Sequence, residues 1–175
     1  MQIKHLEGLQ YMVRNLKSLA ESDSDADYLY HLAYSNLLLL QNQHREALTF
    51  LQAYKGAYDE LILKLVLKLA LVLLELDLAS QTLEKVIRYS DQYMPQYAHV
   101  LRLQGQFNLA LNVYLDYLDK YPADVATWLK LGIFMVDVNQ LDAAETAFMS
   151  ALNADPENQV AQDFLNKIKK AHNPK

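Results

Sequence analysis

The side chains that most often carry catalysis or bind metals are sparse in this 175-residue chain. Cysteine is absent, which removes disulfides, thiolate nucleophiles and Cys-ligated metals. No two histidines stand at the i, i+4 spacing that directs two imidazoles at one metal ion. They are His5, His31, His44, His99 and His172. We therefore expect neither a metal site nor a cofactor.

The carboxylates and glycines likewise form no recognisable catalytic arrangement. Asp23, Asp25 and Asp27 cluster in a polar linker, where acidic residues open helices, and Ser24 to Asp27 is predicted to form a capping box. The four glycines are dispersed, so no glycine-rich phosphate loop is present. An enzyme would need a catalytic group that this sequence does not display, and we predict a non-enzymatic protein.

Tyrosine is the one enriched polar aromatic residue, with 12 copies. Tyr34, Tyr97 and Tyr114 fall on helical packing stripes, where filling of the core is the favoured interpretation. Others fall near predicted helix starts or hairpin junctions, where edge packing is favoured over an interaction surface. These are Tyr28, Tyr30, Tyr58, Tyr89 and Tyr93.

Charge and hydropathy indicate which cellular compartment and which classes of partner to expect. With 16 basic and 21 acidic residues the net charge is −5, which disfavours nucleic acid, although RNA-reading helical repeats are a minor alternative. The N-terminus has no secretory pattern, and we expect a cytoplasmic protein. The apolar run 61–74 is too short to span a bilayer and contains Lys64 and Lys68, so it predicts a buried helix without membrane insertion.

The composition predicts that helices position the side chains described above. Only four glycines and four prolines accompany a hydrophobic content of 52%. A shift of 34 residues places Pro122 on Pro156 and Ala110 on Ala144. Internal repetition at this period is typical of stacked helical hairpins.

The last copy of the repeat carries a recognisable motif. It reads Trp128-x2-Leu131-Gly132, then Ala144-x3-Phe148, then Pro156. This resembles the tetratricopeptide repeat, W-x2-L-G-x2-Y, A-x3-F and P, with Met135 in place of the tyrosine. Earlier copies are progressively looser, and the resemblance covers about residues 25–158.

The resemblance implies an all-α fold: a right-handed α-solenoid of stacked antiparallel hairpins. We predict about four hairpins in a single domain of residues 1–175, between an N-terminal helix and a C-terminal capping helix. The predicted segments are helix 1–21, degenerate hairpins 25–56 and 57–90, repeat hairpins 91–124 and 125–158, and the cap 159–172.

In tetratricopeptide proteins the first helix of each hairpin lines a concave peptide groove. The groove residues lie one position along the sequence from the packing stripe, which is the set of residues that pack the two helices of a hairpin together. The resemblance implies that this groove is apolar at both ends and basic in the middle. Its predicted residues are Leu32, Asn36, Leu39, Lys64, Lys68, Leu71, His99, Arg102, Leu129, Ile133 and Val136. Such a groove suits a peptide with apolar anchors around an acidic or C-terminal carboxylate group.

Two other interpretations of this stripe stay open. Lys64 and Lys68 could simply solvate one helix face, and the C-terminal helix could cover Leu129, Ile133 and Val136. The Lys-and-Asn carboxylate clamp of chaperone-tail-binding members is not reproduced, because Leu32 stands at a position where a lysine is expected.

The leading functional hypothesis is therefore a protein-binding adaptor whose partner is a protein or peptide. One alternative is a bacterial type III secretion translocator chaperone, which small acidic proteins of about three such repeats resemble. Another is a homo-oligomeric scaffold, because the four consecutive leucines at 37–40 cannot all face one core. The chain could also be a segment of a longer protein, in which residues 1–20 would pack on a further repeat.

Overall fold

The computed structural model describes residues 2–172, with side chains from residue 6 to residue 171. The side chains of His5 and His172 and the whole of Met1 lie outside these ranges. Within residues 2–172 the chain is all-helical and has no strand. Its helices are α1 (Gln2–Leu19), α2 (Ser24–Leu40), α3 (His44–Gln52), α4 (Glu60–Val72), α5 (Leu76–Val86), α6 (Met94–Leu103), α7 (Phe107–Lys120), α8 (Val125–Asp137), α9 (Leu141–Ala154) and α10 (Gln159–His172).

The helices pack as successive pairs, which confirms the predicted helical hairpins. Helices α2 and α3, α4 and α5, α6 and α7, and α8 and α9 are antiparallel partners, with α1 against α2 and α10 against α9. A 3₁₀ turn at Asp91–Tyr93 precedes α6. The apolar run at 61–74 lies in α4 as far as Val72, which confirms the predicted helix, and its last two residues end that helix.

Aspartates close the N-termini of three of the hairpins' first helices. The carboxylate of Asp59 accepts the Ile62 N–H at 3.0 Å, and that of Asp124 accepts the Thr127 N–H at 3.1 Å. The capping box predicted to start at Ser24 is wrong. Asp23 is the cap of α2, because its carboxylate accepts two backbone N–H groups and Ser24 is already helical.

The turns inside the four hairpins share one backbone geometry. One residue per turn has a positive φ, at 59°, 57°, 74° and 59° respectively, and the next residue donates its N–H to a carbonyl five residues earlier. This is a Schellman-type helix end. The positive-φ residues are Asn42, Leu74, Gly105 and Asn139. The helix end predicted at Gly105 is thus confirmed, and the turn repeats even where the sequence motif has faded.

Each hairpin also crosses at a buried pair of residues twelve positions apart. The second member is always alanine, and the first is variable. The pairs are Ser35 and Ala47, Leu67 and Ala79, Ala98 and Ala110, and Gly132 and Ala144. Alanine keeps the second helix close to the first, and the first position adapts to the neighbouring side chains.

The chain divides into two compact units, one ending at Tyr89 and the other beginning at Ser90. In the first unit, one core is built by α2, α3 and α4, and a smaller one by α1 and α2. Of the leucine run, Leu37 and Leu38 are buried, Leu39 is half-buried and only Leu40 is exposed.

The second unit holds the larger core, from α6 to α10. Helix α10 closes its end by burying Ala161, Leu165 and Ile168, and Phe164 stacks on Phe148 with ring centroids 4.7 Å apart. Lys167 lies over the Phe164 ring at 5.3 Å, so its stem covers apolar surface while its charge stays in solvent.

Candidate peptide-binding site

A cleft of about 620 Å³ opens in the second unit between α6 and α8, with α7 behind it. The first helices of two successive hairpins supply its walls, and two tyrosines of α7 contribute to its lining. The lining residues are Gln92, Pro95, Gln96, His99, Arg102, Tyr114, Tyr117, Asp124, Ala126, Thr127, Lys130 and Ile133.

Arg102 connects the two walls. Its Nη1 donates to Asp137 Oδ2 at 2.5 Å, which links α6 to α8, and its Nη2 lies 3.4 Å from His99 Nδ1. The side chain is only 21% exposed, and its Nε is buried without an acceptor. The guanidinium therefore has a fixed position and one N–H whose hydrogen bond is unmade.

Two permanent cations set the charge of the cleft. Burial, followed by the charges of Arg102 and Lys130, lowers the pKa of His99, so this imidazole is neutral at pH 7. Lys130 is exposed and forms no salt bridge with any described carboxylate. Lys130 and Arg102, the latter paired with Asp137, thus bring two positive charges to the cleft, with neutral His99 beside Arg102.

The one carboxylate that lines the cleft is already engaged by hydrogen bonds. Asp124 accepts the Thr127 N–H, the Thr127 hydroxyl at 3.0 Å and the Tyr117 hydroxyl at 3.0 Å. Burial alone would raise the pKa of Asp124, but these donors and the charge of Lys130 outweigh it and lower the pKa. Asp124 acts as a helix cap and does not contact Arg102.

The tyrosines behind α6 and α8 have the opposite pKa shift. Burial raises the pKa of Tyr114, although the charge of Arg102 opposes the rise. Burial, then the hydrogen bond and charge of Asp124, raises the pKa of Tyr117 to about 12. Both phenols are therefore protonated at neutral pH, and they present rings and hydroxyls to the cleft.

The structure brings some of the predicted groove residues together. His99, Arg102 and Ile133 line this cleft. Leu129 and Val136 are half-buried against the core of the second unit and are not in its lining. The predicted stripe of the second unit therefore divides into a polar part in the cleft and an apolar part that mainly packs.

In the first unit the predicted residues follow α2 and α4. On α2, Leu32 and Leu39 are half-buried against the core, and the side-chain amide of Asn36 donates to the Leu32 carbonyl at 2.8 Å. On α4, Lys64 pairs with Glu60 at 2.6 Å, Lys68 is exposed and Leu71 is half-buried. Peptide binding by these residues stays a prediction.

The sequence prediction missed several residues of the cleft. Lys130 and Gln96 occupy the same position in successive repeats, 34 residues apart. Both lie two residues further along the helix than a residue of the packing stripe. Extending the stripe by one more position would have found them. Asp137 could not be found this way, because its pairing with Arg102 depends on the approach of α6 to α8.

Neither a metal-binding cluster nor a membrane-spanning helix occurs among the residues that the structure describes. Among the described residues, no group of three or more His, Asp or Glu side chains is arranged to hold a metal ion. Over residues 2–172, each helix is too short or too polar to cross a membrane.

No protein-family model and no curated protein matches this sequence. Solved structures do match in fold. YrrB, described as a tetratricopeptide-repeat protein with an unusual peptide-binding site, aligns with a TM-score of 0.73 at 14% identity, covering 93% of this chain and 86% of its own. MamA from Desulfovibrio magneticus RS-1 gives a TM-score of 0.66 at 22% identity, covering 81% and 83%. BtubC from P. vanneervenii gives 0.62 at 16% identity, covering 97% and 83%.

The chain therefore has a tetratricopeptide-repeat fold, as the motif at 128–156 predicts. The repeated turns and the buried residue pairs of all four hairpins agree with this class. At these identities the likeness concerns the fold, and the function has to be argued from the cleft itself.

Proposed function

We propose that this chain is a protein-interaction module that binds a peptide in the α6–α8 cleft of its second unit, with an acidic side chain or C-terminal carboxylate facing Arg102 and Lys130. The observation that carries the proposal is the pair of cations on opposite walls of one cleft. The protein bears a net charge of −5, so this local charge is opposite to its average.

Hydrogen-bond chemistry supports a carboxylate as the recognised group. A carboxylate accepts charge-assisted hydrogen bonds from a guanidinium or an ammonium, and Arg102 and Lys130 bring one of each to the lining of the cleft. Neutral His99 and the amides of Gln92 and Gln96 can bind peptide backbone groups beside it. The apolar side chain of Ile133 offers a contact for an aliphatic anchor.

The fold supports a peptide as the ligand. YrrB has the same fold and is described as having a peptide-binding site, although at 14% identity its contacts do not transfer to named residues here. The cleft lies between the first helices of two successive hairpins, and its volume of about 620 Å³ leaves room for side chains of a peptide.

The test is calorimetric titration with a 12-residue peptide that ends in Leu-Asp-Glu with a free carboxylate, against the same peptide ending in Leu-Asn-Gln-amide. We expect the acidic peptide to bind more tightly and Lys130→Glu to weaken it about tenfold or more, because attraction becomes repulsion. Lys169→Glu on α10 is the matched control.

Equal affinity for the two peptides, or an equal loss with the control variant, would contradict the proposal. The predicted stripe of the first unit is tested separately with Lys64→Glu and Lys68→Glu. An effect of those two variants with none from Lys130→Glu would place the binding site in the first unit instead.

A further inference from the structure

A second groove lies in the first unit, between α1 and α2, with a volume of about 470 Å³. Each wall spans eight residues, so the groove follows about two helical turns, or roughly 10 Å. Helix α1 contributes Gln10, Val13, Arg14 and Lys17, and α2 contributes Tyr30, Tyr34 and Leu37.

The equivalent wall positions of α4 and α8 are covered by the preceding hairpin, whereas at the start of the second unit Tyr93 and Tyr97 are half-buried, as Tyr30 and Tyr34 are. Equivalent positions are counted from the buried residue that each first helix contributes to its hairpin crossing. At the positions equivalent to the three α2 wall residues, the side chains of α4 and α8 are 0–4% exposed. These positions are Ile62, Val66 and Leu69 in α4 and Thr127, Leu131 and Phe134 in α8. The hairpin preceding each of these helices packs over them.

In α2 the same positions are incompletely covered. Tyr30 and Tyr34 are half-buried, and their rings stack on each other with centroids 5.8 Å apart and 7° between planes. Only Leu37 is buried, at 6% exposure. Helices α4 and α8 thus pack against a whole preceding hairpin, whereas α2 packs against the single helix α1, and the groove between α1 and α2 has an aromatic wall.

The other wall of the groove is basic. Arg14 and Lys17 lie one turn apart on α1, both are exposed, and neither forms a salt bridge with a carboxylate in the described part of the chain. Between them and the tyrosines lies Val13, at 7% exposure. The groove therefore combines an apolar floor, an aromatic wall and a positively charged edge.

We propose that this groove docks an amphipathic helix of another protein. The helix lays an apolar stripe on Val13, Tyr30 and Tyr34, and acidic residues one turn apart on its flank face Arg14 and Lys17. Ridges-into-grooves packing of a third helix on a helical pair is what the later hairpins of this fold already show. The surface is separate from the α6–α8 cleft, and its occupancy does not depend on peptide binding there.

Charge argues against a second copy of this chain as the occupant through its terminal helix. The solvent face of α10 carries Lys167, Lys169 and Lys170. Placed in the groove, those lysines would meet Arg14 and Lys17, and juxtaposed like charges oppose association. An acidic partner helix has no such penalty.

The test uses a synthetic 18-residue helical peptide with a Leu and Phe stripe and two flanking glutamates one turn apart, and a twin with lysines at those two positions. Binding is followed by fluorescence anisotropy. We expect the glutamate peptide to bind about tenfold more tightly than its twin, and the Arg14→Glu, Lys17→Glu variant to reverse that preference. Both side chains are exposed, so the variant should fold, which circular dichroism checks.

The matched control is Lys169→Glu, Lys170→Glu, which makes the same change in net charge on α10. An unchanged preference in the Arg14, Lys17 variant, or an equal effect of the control, would overturn the proposal. Peptide-induced NMR shifts at Val13 and Leu37 locate the complex in the groove, whereas shifts confined to α6–α8 would also overturn it. A dimer in light scattering that Arg14→Glu, Lys17→Glu dissociates would assign the groove to a second copy.

Discussion

At Gly132 the crossing of α8 and α9 leaves no room for a side chain. A Cβ built at this position would lie 2.6 Å from the ring of Phe148, which is fully buried and stacked on Phe164. We therefore predict that Gly132→Ala destabilises the second unit by about 1–3 kcal/mol, the usual range for overpacking, even though alanine is the better helix former. Urea denaturation followed by the fluorescence of Trp128 measures it.

Gly8 provides the matched control, because nothing lies within 4 Å of the Cβ that alanine would add there. Gly8→Ala in α1 should stabilise, by up to about 1 kcal/mol, through helix propensity alone. If Gly132→Ala is also neutral or stabilising, the α8–α9 crossing is looser than its geometry indicates. Partial recovery in Gly132→Ala, Phe148→Leu would attribute the loss to that ring.

Tyr117 and Asp124 couple the stability of the second unit to pH. The pKa of Asp124 is lowered below its ordinary value of 3.8, so its contribution is present above that pH and is lost as the pH falls. The pKa of Tyr117 is raised from 10.0 to about 12, so its contribution is present below pH 10 and is lost as the pH rises towards 12.

We predict that Tyr117→Phe costs about 1.5–3 kcal/mol at pH 7, the usual worth of a hydrogen bond to a charged group, and reduces the loss of stability between pH 10 and 12. Chemical denaturation at a series of pH values checks this. The control Tyr89→Phe removes the hydroxyl of an exposed ring and should change neither quantity. Burial also raises the pKa of Tyr114, so part of the alkaline slope should remain in Tyr117→Phe, and a slope that is unchanged would contradict the prediction.

At the scale of elements, the hairpin turns repeat more faithfully than the sequence. Asn42, Gly105 and Asn139 are residue types that tolerate a positive φ, whereas Leu74 has a φ of 57° at the equivalent position and is 78% exposed. A left-handed backbone conformation costs leucine roughly 1 kcal/mol. Because the Leu74 side chain is mostly exposed, its packing contacts offset little of this cost.

Leu74→Gly should therefore raise the free energy of unfolding of the first unit by about 1 kcal/mol, and Leu74→Asn by somewhat less. Thermal denaturation by circular dichroism is the measurement. The reciprocal change, Gly105→Leu, should destabilise the second unit by a similar amount, since its φ is 74° and nothing lies within 4 Å of a Cβ there. Stabilisation by Gly105→Leu would refute the turn argument.

The sequence predicted the helical elements well because their determinants are local. Apolar periodicity and the breaks at Pro122 and Pro156 locate α7 to α10, and the alanines at 47 and 79 mark the degenerate hairpins. The start of α2 was placed with Ser24 as its cap because Ser and Asp are both good caps. Which of them accepts the N–H groups depends on backbone dihedrals that the sequence does not display.

The candidate site was only partly predictable, because a cleft is made by two helices. His99 and Arg102 followed from counting along one helix face. Lys130 was missed because it lies beside the counted stripe, and Asp137 because only the approach of α8 to α6 brings it to Arg102. Between-helix distances are tertiary information, and a single-helix periodicity cannot contain them.

At the scale of the whole molecule, the net charge does not describe the charge of each local surface. The net charge of −5 coexists with a cleft in the second unit that carries Arg102 and Lys130 and with a basic groove edge in the first. Each surface lies within one compact unit, so each can be altered by substitutions that leave the other unit's core untouched. The two proposed partner classes, an extended acidic peptide and an amphipathic acidic helix, can therefore be tested separately.

The division at Tyr89 and Ser90 leads to the last prediction, that a fragment of residues 90–175 folds cooperatively on its own. Its main core is drawn entirely from α6 to α10, and α10 covers the end of that core with Leu165 and Ile168. Trp128, the single tryptophan, donates its indole N–H to the Pro122 carbonyl at 2.8 Å and so reports on this unit. We expect a sigmoidal urea transition of Trp128 fluorescence in the fragment.

A shorter fragment of residues 90–158 is the control, because it lacks α10 and uncovers the apolar face around Phe148. Stacked helical repeats need a terminal helix with a polar outer surface, so this fragment should lose the cooperative transition or aggregate. Coincident transitions in both fragments would show that α10 adds no stability. A non-cooperative 90–175 fragment would show instead that the core of the second unit needs the first five helices, and that the chain folds as one body.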